Sequence, residues 1–114
     1  MPEVAVSSRD VPVVPYDVDP ARIVDGSPTL AMGQLWMSED GSQRHGIWQM
    51  TPGTVTDIDG PETFVVIEGH ATVVWPKDET SIDIGPGDVV VLVAGDLVTF
   101  TVHETLRKLY VLND

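Results

Sequence analysis

Turn-forming residues cut the chain into short apolar segments from residue 30 onward, and this spacing limits the possible folds more than any other feature. The segments are rich in β-branched residues, as strands are. Strands are predicted near residues 30–36, 46–50, 63–67, 71–75, 80–84, 89–93, 98–102 and 106–112. So many short strands with almost no helix predict an antiparallel sandwich or barrel, because closure of the sheet removes exposed edges.

The N-terminal eighteen residues are predicted to form an extended arm. Three prolines interrupt short apolar pieces there, and proline disfavours the interior of a helix. Such an arm suits the covering of a sheet edge. One short helical turn is expected next, since Asp19 suits an N-cap, Pro20 suits the first helical position and Gly26 follows. The predicted organisation is an arm over 1–18 and a single domain over 19–114.

Length and charge exclude several classes of protein. A chain of 114 residues has the size of one domain. Its net charge of -12 argues against nucleic acid and anionic membranes as partners. Without cysteine there can be no disulfide, thiolate zinc site or cysteine nucleophile. No apolar run is long enough for a membrane span and the first ten residues show no secretory signal, so a cytoplasmic protein is expected.

The segment from Val89 to Val93 is apolar at every position, where a half-exposed strand would alternate. Something is therefore expected to cover its outer side. The arm or the second sheet are two alternatives. The hypothesis favoured here is a second subunit, which makes the protein a homodimer.

Two motifs stand out because glycines and carboxylates recur in a fixed order. In the first, Glu62 is separated by six residues from Gly69, which ends a predicted strand. In the second, a turn at Gly87 leads into a buried strand and a tight turn at Gly95. In this order and separation the two stretches resemble the sequence motifs of the cupins. The resemblance implies an all-β double-stranded β-helix, a jelly-roll barrel with both motifs around one cavity.

Further stretches narrow the resemblance. Gly46-Ile47-Trp48, Thr51-Pro52-Gly53 and residues 103–111 are similar to small cupins with an (S)-ureidoglycine aminohydrolase-type domain, a group to which the cupin part of EutQ ethanolamine-utilisation proteins is also similar. The similarity extends over about 19–112. Most members of that group have no assigned reaction, so the resemblance implies a fold and a subfamily and leaves the reaction open.

Metal-binding cupins place two histidines shortly before the glutamate and a third after the second motif's turn. Here Glu62 is present, but the paired positions fall on 55 and 57 or on 56 and 58, and the third falls on Val98. If a metal binds at all, Glu62 and Asp57 would be its ligands, which are too few for a transition metal. No tightly bound metal or other cofactor is therefore predicted, and the metal-dependent aminohydrolase reaction does not follow from the family name.

The candidate site is Glu62 in an apolar cavity, together with the cation that meets it. Lys108 is the candidate partner, because it has the same strand parity as Tyr110. A Lys-Glu pair beside a tyrosine can bind a polar ligand or move a proton, which makes these three residues the candidate catalytic groups. Two alternatives stay open: a purely structural salt bridge, or a solvent-facing Lys108 with Arg107 turned inward.

Three functions fit these residues. The leading hypothesis is a metal-free cupin that binds a small polar metabolite. The first alternative is an enzyme acting on a small ureido, amide or carbonyl compound, either by a metal-dependent aminohydrolase-like reaction or by metal-free acid-base chemistry. The second is a dimeric accessory protein whose barrel is filled by inward side chains. The predicted ligand-binding residues are Trp48, Asp57, Glu62, Val98 and Lys108.

Overall fold

Strands dominate the computed structural model of the chain, which describes residues 5–113. Two short 3-10 turns, Pro20–Arg22 and Pro76–Asp78, interrupt them. The strands are β1 (Val14–Tyr16), β2 (Ile23–Asp25), β3 (Leu30–Met37), β4 (Gln43–Met50), β5 (Gly53–Asp59), β6 (Glu62–Trp75), β7 (Thr80–Ile84), β8 (Val89–Leu92) and β9 (Leu97–Asn113). No helix among the described residues has the length and apolar character needed to cross a membrane.

The two long strands, β6 and β9, pass through both layers of the fold. The first half of β6 pairs with β8 and with the end of β9, while its second half pairs with β7 and with the start of β9. One layer therefore runs β1-β3-β4-β9-β6-β8 and the other β2-β5-β9-β6-β7. Every pairing is antiparallel. This confirms the predicted all-β jelly roll.

A bulge at Gly69, rather than a turn, carries β6 from one layer into the other. Gly69 has φ of 94°, and the pairing with β9 shifts register around it. A Cβ atom here would collide with the carbonyl of Thr105. Glycine therefore meets two demands, a positive φ and a close backbone approach. The separate strands predicted at 63–67 and 71–75 are consequently one strand.

The helical turn after the arm is shorter than predicted. Asp19 is the expected N-cap, with its carboxylate accepting a hydrogen bond from the Ala21 amide at 2.9 Å. The turn ends at Arg22, and the next three residues form β2. That strand pairs with β5, which the sequence analysis did not predict. Strand β5 was missed because its sequence alternates with polar residues and contains two aspartates. A bulge between Val55 and Ile58 also breaks the register of its pairing with β9.

The described part of the N-terminal arm covers a sheet edge, as predicted. Its strand β1 pairs with β3, and Arg107 holds the preceding segment by donating to the backbone carbonyls of Ser8 and Val11. This leaves the arm at the opposite end of its layer from β8.

Strand β8 alternates in burial although its sequence is uniformly apolar. Val90 and Leu92 point into the core, whereas Val89, Val91 and Val93, here called the valine face, are 63%, 59% and 58% exposed. Within the described residues, neither the arm nor the second layer covers this face.

Candidate functional site

A buried ion pair lies at the centre of the candidate site. The Lys108 Nζ donates to Glu62 Oε2 at 2.7 Å, and the two side chains are 3% and 10% exposed. Glu62 opens β6, directly after the Gly60-Pro61 turn, and Lys108 lies on β9, the strand that pairs with β6. The parity of Lys108 on that strand turns it inward. The alternative with Arg107 facing the cavity is therefore wrong.

Three aromatic rings surround the ammonium group. Nζ lies 4.1 Å from the ring centroid of Phe64, 4.4 Å from that of Trp48 and 4.9 Å from that of Phe100. These distances are within the range of cation–π attraction, which favours the charged amine. Burial acts in the other direction and lowers the pKa of Lys108, while the Glu62 carboxylate opposes this shift. The pair is held together in surroundings that would penalise either charge alone.

An open cavity of about 180 Å³ adjoins the pair. Glu62, Lys108, Trp48 and Tyr110 line it, so four of the sequence-predicted residues are brought together. Aliphatic side chains complete its walls: Leu30, Met32, Ile58 and Leu112. The remaining interior is packed by side chains that include Phe64 and Phe100. The barrel is thus filled in one part and open in another.

Two phenols face this cavity. The Tyr16 hydroxyl accepts a hydrogen bond from Trp48 Nε1 at 2.7 Å. Burial raises the pKa of both Tyr16 and Tyr110, and the Glu62 charge raises each further. Both hydroxyls therefore keep their protons at neutral pH and can donate to a bound molecule.

One positively and one negatively charged side chain line the part of the cavity that β5 and the 3-10 turn Pro20–Arg22 form. Arg22 lines it, with Nε donating to the Thr56 carbonyl at 3.2 Å and Nη2 to the Asp57 carbonyl at 3.1 Å. Asp59 lines it as well. Backbone acceptors thus fix the guanidinium in orientation, which prepares it to meet an anionic group.

The structure places two predicted ligand-binding residues elsewhere. The Asp57 side chain is exposed at the β5 bulge, where the residue has φ of 59°. Val98 is fully buried in the hydrophobic core. Neither residue lines the cavity, so neither is placed to contact a ligand there. The roles of Glu62, Lys108, Tyr110 and Trp48 stay predictions.

Three polar residues of the cavity were missed by sequence reasoning. Tyr16 comes from the arm, where nothing in the local pattern signals a binding residue. Arg22 and Asp59 lie on a short turn and on the unpredicted strand β5, so their meeting depends on the pairing of β5 with β2. The N-cap at Asp19, which fixes the turn carrying Arg22, was the one available signal.

The described residues do not fit the metal that metal-binding cupins hold. In residues 5–113, no three histidine, aspartate or glutamate side chains come close enough to hold an ion. The Glu62 carboxylate, which would be a ligand, already accepts from Lys108. The rings of His70 and His103 are tilted against each other with their centroids 5.1 Å apart, and neither histidine lines the cavity. His103 is exposed and hydrogen-bonded to Thr72.

The two-layer barrel with a cavity between its sheets defines the protein as a cupin. The family model of the EutQ-like cupin domain matches residues 37–110, more than half of the chain, and the chain belongs to this family. No curated protein matches this chain significantly.

Solved structures with the same fold include EutQ proteins. A Pseudomonas syringae pv. tomato protein of unknown function superposes with a TM-score of 0.80 at 22% identity, covering 92% of this chain and 46% of that one. The chain therefore spans about half the length of that protein. A putative ethanolamine utilisation protein Q from Salmonella typhimurium gives 0.64 at 23% identity, over 75% and 69% of the two chains. The Clostridium difficile EutQ protein gives 0.64 at 19%, over 86% and 80%.

Proposed function

We propose that this cupin binds a small polar metabolite in its cavity and that it does so without a tightly bound metal. The observation that carries the proposal is an open cavity with the buried Glu62–Lys108 pair in its lining, next to the Tyr110 phenol. Ligand sites typically combine apolar walls with a few fixed polar groups, and this lining has both.

Each polar group has a defined part in binding. The phenols of Tyr16 and Tyr110 supply hydroxyl donors, and the ion pair offers a carboxylate acceptor and an ammonium donor side by side. The Trp48 indole, fixed by its bond to Tyr16, presents an aromatic face to a planar ligand. Little of this lining has to move before binding, because hydrogen bonds within the protein already hold Tyr16 to Trp48 and Lys108 to Glu62.

An enzyme acting by acid-base chemistry on a ureido, amide or carbonyl compound is the second candidate. Glu62, Lys108 and Tyr110 line the same cavity, which favours this alternative. A carboxylate can take a proton from a ligand while the ammonium or phenol returns one.

The cytoplasmic location expected from the sequence stays a prediction.

A cavity-filling variant tests binding. Metabolites are first screened against the wild-type protein by ligand-observed NMR. In Ile58→Trp the indole occupies the cavity, and we expect binding of any hit to weaken by at least about tenfold. Ile82→Trp, at an exposed position on β7, is the matched control and should bind normally. If a hit binds Ile58→Trp as tightly as it binds the control, the cavity is not its site.

We also propose that the valine face is the contact between two copies of this chain. It borders a groove whose lining includes Pro61, Ala94 and Val111, and within the described residues β8 pairs only with β6. Two copies carry -12 each and repel elsewhere, so an apolar patch suits their contact. A twofold axis would place the same valines on both sides.

Light scattering coupled to size-exclusion chromatography tests the dimer. Val91→Asp buries a carboxylate in the proposed contact, so we expect the wild-type dimer to become a monomer. Val24→Asp is the control, because Val24 is 64% exposed on β2 in the other layer. A monomeric wild-type protein, or a dimer that survives Val91→Asp, would contradict this contact.

A further inference from the structure

Lys108 and Lys77 are the two lysines of the chain, and they stand in opposite surroundings. Lys77 is exposed in the 3-10 turn after β6. Lys108 lines the cavity, hydrogen-bonded to a carboxylate and enclosed by aromatic rings. A desolvated lysine in an apolar pocket is a common source of a nucleophilic amine, whereas an exposed lysine is mostly protonated at neutral pH and reacts more slowly.

We propose that Lys108 forms an imine with a small aldehyde or ketone bound in the cavity. The proposal rests on the proposed function, because the carbonyl compound must first enter the cavity. It adds a covalent step that simple binding does not require.

The required proton transfer runs along an existing hydrogen bond. Nζ can pass a proton across 2.7 Å to Glu62, which leaves a neutral amine beside a neutral carboxylic acid. Burial lowers the pKa of Lys108 and so favours this neutral form. The amine and the proton acceptor are therefore already in contact before a substrate arrives.

The step balances with water as its by-product. The nitrogen lone pair forms a bond to the carbonyl carbon, and the carbonyl oxygen takes protons supplied by the attacking nitrogen and by Glu62. A C–O bond then breaks, water leaves, and a protonated imine and the Glu62 carboxylate remain. No oxidant or reductant takes part.

The aromatic rings that hold the ammonium also suit the product. A protonated imine keeps the positive charge on the same nitrogen, opposite Glu62 and close to the rings of Phe64 and Trp48. Cation–π attraction therefore favours the product as well as the resting amine.

The charges of the cavity select among carbonyl compounds. Arg22 lines the same cavity, and backbone carbonyls hold its guanidinium through Nε and Nη2. A guanidinium in fixed orientation recognises a carboxylate. The cavity of about 180 Å³ admits only a small molecule. The class that fits best is a short oxo acid, with its carbonyl at Lys108 and its carboxylate at Arg22.

Reductive trapping tests the proposal. The full chain is incubated with pyruvate, or with acetaldehyde as a probe without a carboxylate, in the presence of cyanoborohydride. The reagent donates hydride to the imine carbon and leaves a stable secondary amine, which is located by peptide mass spectrometry. We expect trapping at Lys108 to be at least about tenfold faster than at Lys77, with pyruvate ahead of acetaldehyde. Equal trapping at both lysines, or trapping at Lys77 alone, would overturn the proposal.

Variants show which group acts. Lys108→Arg keeps a cation beside Glu62 and should abolish the adduct on the peptide that contains residue 108. Lys77→Arg should leave that adduct unchanged. Glu62→Gln cannot take the proton and should slow trapping by about tenfold or more. If Lys108→Arg fails to fold, Lys77→Arg still decides, because peptide mass spectrometry of that variant distinguishes an adduct at Lys108, the lysine that remains, from one at an α-amino group.

NMR of the tryptophan indole signals separates this proposal from binding alone. A saturable shift of the Trp48 N–H with pyruvate, without any adduct, would overturn the imine and leave the cavity a binding site. If neither pyruvate nor acetaldehyde gives an adduct or a shift of the Trp48 N–H signal, the imine proposal is also overturned. The metabolite screen then tests binding independently.

Discussion

Arg107 and Lys108 are neighbours on β9, both nearly fully buried, yet their charges are accommodated in different ways. Lys108 turns inward and meets a carboxylate and three aromatic rings beside the cavity. Arg107 turns outward beneath the arm and donates to Ser8 and Val11 carbonyls and to the Gln49 amide oxygen. One cation is balanced by an opposite charge, and the other by neutral acceptors.

This difference distinguishes Lys108, which belongs to the candidate site, from Arg107, which has a structural role. The Arg107 fork shares its charge among several acceptors, and each bond attaches the arm or a neighbouring strand to β9. The Lys108 ammonium depends on a single counter-charge next to open space, so a ligand can alter its surroundings. Equal burial therefore does not mean equal function, and the partners of each cation show which role it has.

Removing the counter-charge should have the largest effect. Glu62→Leu leaves the Lys108 ammonium buried without a partner, and we expect the free energy of unfolding to fall by about 3–5 kcal/mol. Urea denaturation measures this loss. The double variant Glu62→Leu/Lys108→Met should recover most of it, because a neutral apolar pair needs no compensation. A double variant as unstable as the single one would show that the charge pair is not the cause.

Removing the Arg107 guanidinium should lower the free energy of unfolding by less than removing Glu62 does, and it should affect the arm rather than the cavity. Arg107→Ala removes donors to Ser8, Val11 and Gln49, and we expect a loss of about 2–3 kcal/mol with faster hydrogen exchange in the arm. Arg9→Ala is the control. It breaks the exposed Arg9–Glu68 pair and should cost less than about 1 kcal/mol. Unchanged exchange in the arm of Arg107→Ala would break the comparison.

The arm's link to the cavity should show a smaller effect. Tyr16→Phe deletes the acceptor of the Trp48 indole hydrogen bond, and we expect a loss of about 1 kcal/mol in the free energy of unfolding. The Trp48 indole N–H should shift in a ¹⁵N-resolved spectrum. An unmoved resonance would mean that Tyr16 does not hold Trp48 in solution.

The pH dependence should show the smallest effect. Burial lowers the pKa of Lys108 from 10.5, so near that pH the unfolded chain binds more protons than the folded one, and stability rises with pH toward it. Tyr16 and Tyr110 act oppositely above pH 10, where their raised pKa values make stability fall. Urea unfolding at several pH values up to 10 should show the rise in wild type and lack it in Lys108→Met. A rise that persists in the variant would assign it to another group.

Much of the fold could be predicted from sequence because turn residues and apolar alternation are local signals. The strand over Thr80–Ile84 matches its prediction at both ends. The glycines misled at one point, since Gly69 marks a bulge where a strand changes layer and not a turn. Strand β5 was missed because pairing with β2 and β9, rather than its own polar sequence, makes it a strand.

The candidate site was predictable only where strand parity or the family motif determined it. Parity on β9 places Lys108 and Tyr110 on one side, and the family motif supplied Glu62. Tyr16 and Arg22 reach the cavity through tertiary contacts of the arm and the turn, which no local pattern encodes. Val98 was inferred from motif spacing, which gives a position along the strand but not the depth of its side chain in the core.

The continuity of β6 and β9 has a consequence for how the molecule opens. Because each long strand supplies hydrogen bonds to both layers, one layer cannot separate without breaking the ladder of the other. We therefore expect the amides in the centres of β6 and β9 to exchange only through global unfolding, as one cooperative unit. Glu62 and Lys108 lie on these two strands, so the ion pair of the candidate site should persist until the whole barrel is lost.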